Sequence, residues 1–252
     1  MLESAGLENT TYIALSKMDA QQRAMSVIAT NMANASTVGF KREDVLFSDY
    51  LSQQRATHQP AGAESEAYTQ DRATYRDVQQ GDLQQTGNAL DLALGGQGYF
   101  QVQTANGVRL TRAGKFEQQA DGSIVDESGN ALLDRAGRAI KIPAGDQNIS
   151  ISSDGVLSTE SGDQAQIAVV SVADENALKA EGGHLFATSQ PTQPVAQPHM
   201  AQGMLEGSNV QMMSEVTKML DIQRNFQFMA QFINAEATRQ QNAIDKIVQV
   251  SA

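Results

Sequence analysis

The sequence predicts an α+β fold in which N- and C-terminal helices form a coiled-coil-like core domain and an antiparallel β-rich domain is inserted between them. Three observations carry this. Residues 10–35 hold neither proline nor glycine and repeat a stripe of side chains at steps of three and four. A longer stretch of the same period follows Gly207 and runs towards the C-terminus. Between them, turn sequences recur at short intervals around brief β-branched runs, the pattern of antiparallel strands.

In the first helix Ala14, Met18, Gln21, Met25, Ile28 and Met32 fall on one face, with Leu15 widening it. Asn9, Thr10 and Thr11 offer side-chain acceptors for an N-cap, and Gly39 is expected to mark the stop. In the second helix the stripe runs from Met212 through Val216, Met219, Ile222, Phe226, Met229, Ile233, Ala237, Gln240, Ile244 and Ile247, with Ser208 or Asn209 as the expected cap. At a rise of about 1.5 Å per residue, 210–249 would be about 60 Å long, more than the roughly 45 Å diameter of a compact chain of this size. Such a helix is expected either to break or to pack in something elongated, and the sustained stripe favours an elongated coiled coil.

The middle carries Asn106-Gly107, Asp121-Gly122, Ser128-Gly129-Asn130, Ala136-Gly137, Asp154-Gly155 and Ser161-Gly162-Asp163 as turns. Strands are expected at 99–102, 123–125, 139–142, 149–151 and 167–172, in a twisted antiparallel sheet or small barrel. The division that follows is 1–54 for the N-terminal helix and its exit, 55–80 for a linker or extended connection, and 81–190 for the β-domain. Residues 191–207, with Pro191, Pro194 and Pro198, are read as a return linker, and 208–252 as the C-terminal helix.

Composition excludes several classes of function. The 252 residues include no cysteine and no tryptophan, so neither a disulfide framework nor a thiolate zinc site is available. Lys+Arg 18 against Asp+Glu 29 leaves a net charge of −11, which argues against duplex nucleic acid as a partner. No run approaches the roughly 20 apolar residues of a membrane helix, so no membrane insertion is expected. The N-terminus lacks the basic and apolar regions of a cleaved signal peptide. His58, His184 and His199 stand apart without metal-ligand spacing. Gly95-Gly96-Gln97-Gly98 precedes a strand instead of joining a strand to a helix, so it reads as a turn and not a dinucleotide loop. Asp121, Ser123 and Asp126 lack the glycine and terminal glutamate of a calcium loop. The expectation is a protein that is not an enzyme and takes no cofactor or metal.

Ala29–Lys41, with Asn31, Ala33, Asn34, Thr37, Gly39, Phe40 and Lys41 at the matching positions, resembles the N-terminal signature of the axial proteins of the bacterial flagellum. Gly203-x-Leu205-Glu206-x-Ser208-Asn209-Val210 is similar to the segment that precedes the family's terminal helix. Gln223-Arg224-Asn225-Phe226 stands where a tyrosine usually closes a Gln-Arg-Ala-Tyr motif. Gly96–Val102 and Leu110–Phe116 resemble the inserted β-domain of rod and hook members. The chain is thus identified as a member of the flagellar basal-body rod protein family, most similar in length and opening residues to its proximal rod member, with a distal rod or short hook-type protein as the alternative.

That resemblance implies a structural subunit, exported by the flagellar type III apparatus without a cleaved signal. It implies polymerisation with its own copies and neighbouring rod proteins into a helical rod that transmits torque across the periplasm. The residues expected to serve assembly and helix packing are Met18, Met25, Ile28, Asn31, Met32, Asn34, Thr37, Gly39 and Phe40 at one end. At the other they are Asn209, Val216, Met219, Ile222, Arg224, Phe226, Met229, Ile233 and Ile244. A reading of another class, a β-domain that binds a ligand or adheres, requires a concave site with convergent polar and aromatic groups.

Overall fold

The computed structural model describes residues 2–53, 65–146, 148–182 and 184–250, with side chains described over 12–46, 74–146, 148–182, 184–243, 245 and 246. The architecture is α+β: a helix α1 (Leu2–Ala33), an extended antiparallel β region, and a helix α2 (Met212–Val250). The chain forms two compact units. A helical unit holds 1–32, 43–75 and 211–252, and a β unit holds 33–42 and 76–210.

In the helical unit, α1 begins well before the expected cap. Asn9, Thr10 and Thr11 lie inside it, because Leu2, Glu3, Ala5, Leu7 and Glu8 are good helix formers that carry the helix through Gly6. Among its described side chains the most buried are Ala14, Ala20, Ala24, Ile28 and Asn31. Met18, Met25 and Met32 flank that line and are half-buried. α2 is a single unbroken helix of 39 residues. The unit also contains a two-stranded sheet, Glu43–Gln53 with Ser65–Arg76, whose final residue enters the β unit. The second strand occupies part of the expected linker, and the remainder of that linker, 54–64, lies outside the described residues.

The β unit is built around the hairpin Tyr99–Thr104 and Gly107–Thr111, closed by the two-residue loop Ala105-Asn106. Tyr99–Thr104 also pairs with Ala131–Leu132 and Val169–Ser171, which makes it the central strand of the largest sheet. Alternation along this strand feeds two cores. Phe100 and Val102 join Phe116, Ile124, Leu132, Leu157 and Ile167 on one side. Tyr99 joins Leu110, Val170, Leu178 and Phe186 on the other. Phe100 and Phe116 meet edge to face at 5.5 Å, a favourable ring geometry.

Two elements differ from the sequence reading. Residues 139–142 make isolated bridges at Ala139 and Lys141 and no continuous strand. The segment read as a return linker contains Gln193–Pro194, His199–Gln202 and Met204–Glu206 as strands. The last two pair antiparallel with Leu92–Gly95 and Leu83–Gln85. Proline marks interruption in sequence, but Pro191, Pro194 and Pro198 sit at or before the ends of these short strands and leave the two pairings intact.

Candidate functional site

α1 ends at Ala33 and the chain turns over the next residues, with Thr37 N–H donating to Asn34 O at 3.1 Å. Thr37 Oγ1 also meets Asn34 Oδ1 at 3.3 Å, so these two residues shape the turn. Gly39 then takes φ +69°, and a Cβ there would lie 2.6 Å from the backbone N of Ala113. Only glycine satisfies both demands, the left-handed backbone and the close approach. Its N–H donates to Glu206 O at 2.8 Å.

This approach delivers Lys41 to a buried ionic cluster inside the β unit. Glu206, 1% exposed, accepts from Lys41 Nζ at 2.5 Å and from Gly81 N–H at 3.1 Å through Oε1. Through Oε2 it accepts from Arg112 Nε at 2.7 Å. Lys41 also donates to Gln79 O at 2.7 Å. Arg112 spends its remaining donors on Leu94 O, Gly96 O and Gly98 O, which fixes the glycine loop before the central strand. Burial pulls the Lys41 pKa down, and the Glu206 carboxylate opposes that pull. One carboxylate shared by two buried cations is a structural lock: removing it would leave both charges desolvated and unpaired.

The segment 203–209 completes the junction. Asn209 Oδ1 accepts Arg42 N–H at 2.7 Å, and its Nδ2 donates to Asp77 O at 2.9 Å and Gln79 O at 3.0 Å. Asn209 is therefore not a helix cap. Ser208 is not one either: its Oγ accepts the Val210 N–H ahead of α2, which starts at Met212. Phe40 is half-buried and its carbonyl accepts Asn209 N–H at 3.4 Å. Three sequence motifs, 39–41, 110–114 and 203–209, thus converge on one carboxylate. Lys41, Arg112 and Glu206 do not stand out in sequence, where isolated charges near glycines look solvated. The signal in sequence is that each is the single charged residue of its motif.

A second polar clamp stands in the helical unit. Asn31 exchanges a pair of hydrogen bonds with the Glu43 backbone, at 2.7 and 2.9 Å, and donates to Glu215 Oε2 at 3.2 Å. Both side chains are completely buried. Lys218 bridges Glu215 and Asp44 at 3.1 and 3.4 Å. The exit of α1, the first strand and the start of α2 are held by this group.

Beyond that clamp α2 buries almost nothing. Among its residues with described side chains, Glu215 is the only buried one. Val216, Met219, Ile222, Phe226, Met229 and Ile233 are each half-buried, so the stripe marks the helix's least exposed face. Ile244 lies outside the residues whose side chains are described. Arg224 is exposed and 4.0 Å from the equally exposed Asp221, a contact that contributes little. Phe228, Met213 and Leu220 are exposed outright.

No group of three or more His, Cys, Asp or Glu residues positioned to hold a metal occurs among the described residues. His184 sits in a turn with φ 64°, His199 starts a strand, and His58 lies outside the described residues. The concavity of about 350 Å3 on the β unit is lined by Thr37, Lys115, Asp126, Glu127 and His184 among others, with no Phe or Tyr to stack a ligand. No described helix is long and apolar enough to cross a membrane.

Known proteins match this organisation along its length. The family model "Flagella basal body rod protein" matches 12–41, "Flagellar hook protein FlgE/F/G D1 domain" matches 93–159, and "Flagellar basal body rod FlgEFG protein C-terminal" matches 201–246. The flagellar basal-body rod protein FlgF of Caulobacter vibrioides is 31% identical over 97% of this chain and 100% of its own length. FlgG of Agrobacterium fabrum is 35% identical and FlgG of Bacillus subtilis 34% identical, each over 88% of this chain and 92% of the relative.

Proposed function

The chain belongs to the flagellar basal-body rod protein family and is a structural subunit of the rod, and from that premise we propose how its two units divide the work. The β unit is a self-contained body. The helical unit is completed by neighbouring subunits: its stripes, from Met18, Met25, Ile28 and Met32 to Val216, Met219, Ile222, Phe226, Met229 and Ile233, pack as a coiled-coil-like layer in the assembled rod. The observation that carries this is that α2, through 39 residues, buries only Glu215 among its described side chains. Long helices draw most of their stability from packing of an apolar face, so this helix is incomplete alone.

Polymerised copies and neighbouring rod proteins supply that packing, the chain reaching them through the flagellar type III export apparatus. In the rod, interdigitated side chains across many copies give the stiffness that torque across the periplasm demands. Its position is the proximal rod, a reading supported by the FlgF relative that is matched over its whole length. The distal rod is the second reading, favoured by the higher identity to FlgG relatives.

A density map of basal bodies isolated from the bacterium that encodes the chain tests both points, with the β unit as the fiducial shape. The chain is expected in the proximal segment; density in the distal segment favours the second reading, and complete rods formed without the chain contradict the proposal.

A further inference from the structure

Resting on the rod-subunit reading, the helical unit also carries a matched groove and ridge. α1, the start of the strand Glu43–Gln53, and α2 enclose a groove of about 280 Å3. Ala24, Val27, Ile28 and Ile222 give it apolar walls. Its charged lining is Asp44, Asp221 and Lys218, an acidic balance of two carboxylates to one ammonium. A cavity of about 150 Å3 holds a benzene ring, so this one accepts a phenylalanine with room to spare.

The ridge lies further along α2. Phe228 is 69% exposed and Phe232, one turn on, is 39% exposed. Arg224, one turn before Phe228, is also exposed. The three share a face and make an aromatic ridge led by a cation, complementary in polarity and charge to the groove. Phe228 is six residues past Ile222, about 9 Å along the axis and about 120° round it. α2 is unbroken, so the ridge cannot turn back into the groove of its own chain.

We propose that the Arg224–Phe228–Phe232 ridge of one copy docks in the Ala24–Ile28–Ile222 groove of a second copy, with Arg224 facing Asp44 and Asp221. Groove and ridge are different patches, so the contact is heterologous. Each bound copy still offers a free groove or ridge, and repetition builds an open helical array instead of a closed dimer.

The test replaces Phe228 with the photo-reactive aromatic p-benzoylphenylalanine in the full chain, produced in its motile host, and irradiates isolated basal bodies. The expected product is a covalent dimer of this chain whose adduct maps to 24–46 or 218–222, the segments that line the groove. An adduct on another protein, an adduct elsewhere on this chain, or no adduct overturns the proposal. A second arm uses Phe228→Asp, an exposed change that leaves the thermal transition of the free chain in place. That variant is expected to fall at least tenfold in basal bodies; incorporation equal to wild type overturns the contact. If the unaltered chain is itself absent from basal bodies, it is the rod-subunit reading that fails.

Discussion

The β unit and the helical unit solve the same problem in opposite ways. The β unit buries its apolar side chains on both faces of its main sheet and neutralises its buried charges internally, Lys41 and Arg112 on Glu206. Among the described side chains of the helical unit the buried apolar residues are Ala14, Ala20, Ala24 and Ile28, three of them alanines. Burial contributes roughly 25 cal/mol per Å2 of apolar surface, so these small side chains each contribute little. The proposed division of work rests on this contrast: the part whose described side chains bury less is the part proposed to join copies.

That contrast can be broken most severely through the helical stripe. Phe226→Asp is expected to abolish incorporation into basal bodies while leaving the β unit's thermal transition unmoved; normal motility of the variant contradicts the packing role. Next in size, Glu206→Ala strands two buried cations and is expected to cost the β unit about 3–5 kcal/mol in urea unfolding. Deleting 1–42 should destabilise the β unit likewise, because it removes Lys41, whereas deleting 1–32 should not. Equal stability of the two truncated chains would detach the motif from the β unit.

Smaller still, Gly39→Ala combines a positive φ with a clash against the Arg112–Ala113 backbone and is expected to cost about 1–3 kcal/mol. The smallest effect sharpens the electrostatics. Burial, reinforced by the Glu175 carboxylate that accepts its hydroxyl at 2.9 Å, pushes the Tyr99 phenol above its usual range. The unfolded chain therefore loses this proton first as pH rises past 10.0, and the stabilisation present below that pH declines above it. Lys41, depressed below 10.5, acts with the opposite sign, because its folded form loses a proton first and gains relative stability as pH approaches that value. Tyr99→Phe isolates the tyrosine's part: the decline above pH 10 should flatten, as read by melting temperature against pH.

Sequence made the helices and the alternating β region legible because their periods are local. The half-buried face of α2 follows the stripe read from Val216 to Ile233. On α1 the same rule selected Ala14 and Ile28, which are buried, together with the methionines at 18, 25 and 32, which are half-buried, whereas Ala20, Ala24 and Asn31, off that stripe, lie deeper than the methionines. The stripe has a width, and which line within it sits deepest depends on the neighbour. The buried ionic lock was out of reach for a different reason. Lys41, Arg112 and Glu206 are joined only once Met204–Glu206 pairs with Leu83–Gln85 and the Leu92–Gly95 strand brings the glycine loop beneath Arg112. Such pairings are long-range, and a local period contains no trace of them. Asn209 looked like a cap for the same reason: its true acceptors and donors, at Arg42, Asp77 and Gln79, are far away in sequence.

Amide hydrogen exchange, followed residue by residue in the free chain and in assembled rods, tests the central claim most directly. In the free chain the amides of Phe100, Val102 and Leu132 should be strongly protected while those of 222–240 exchange quickly; on assembly the helix amides should become protected by orders of magnitude. Protection of 222–240 in the free chain as strong as that of the central strand, unchanged by assembly, would contradict it.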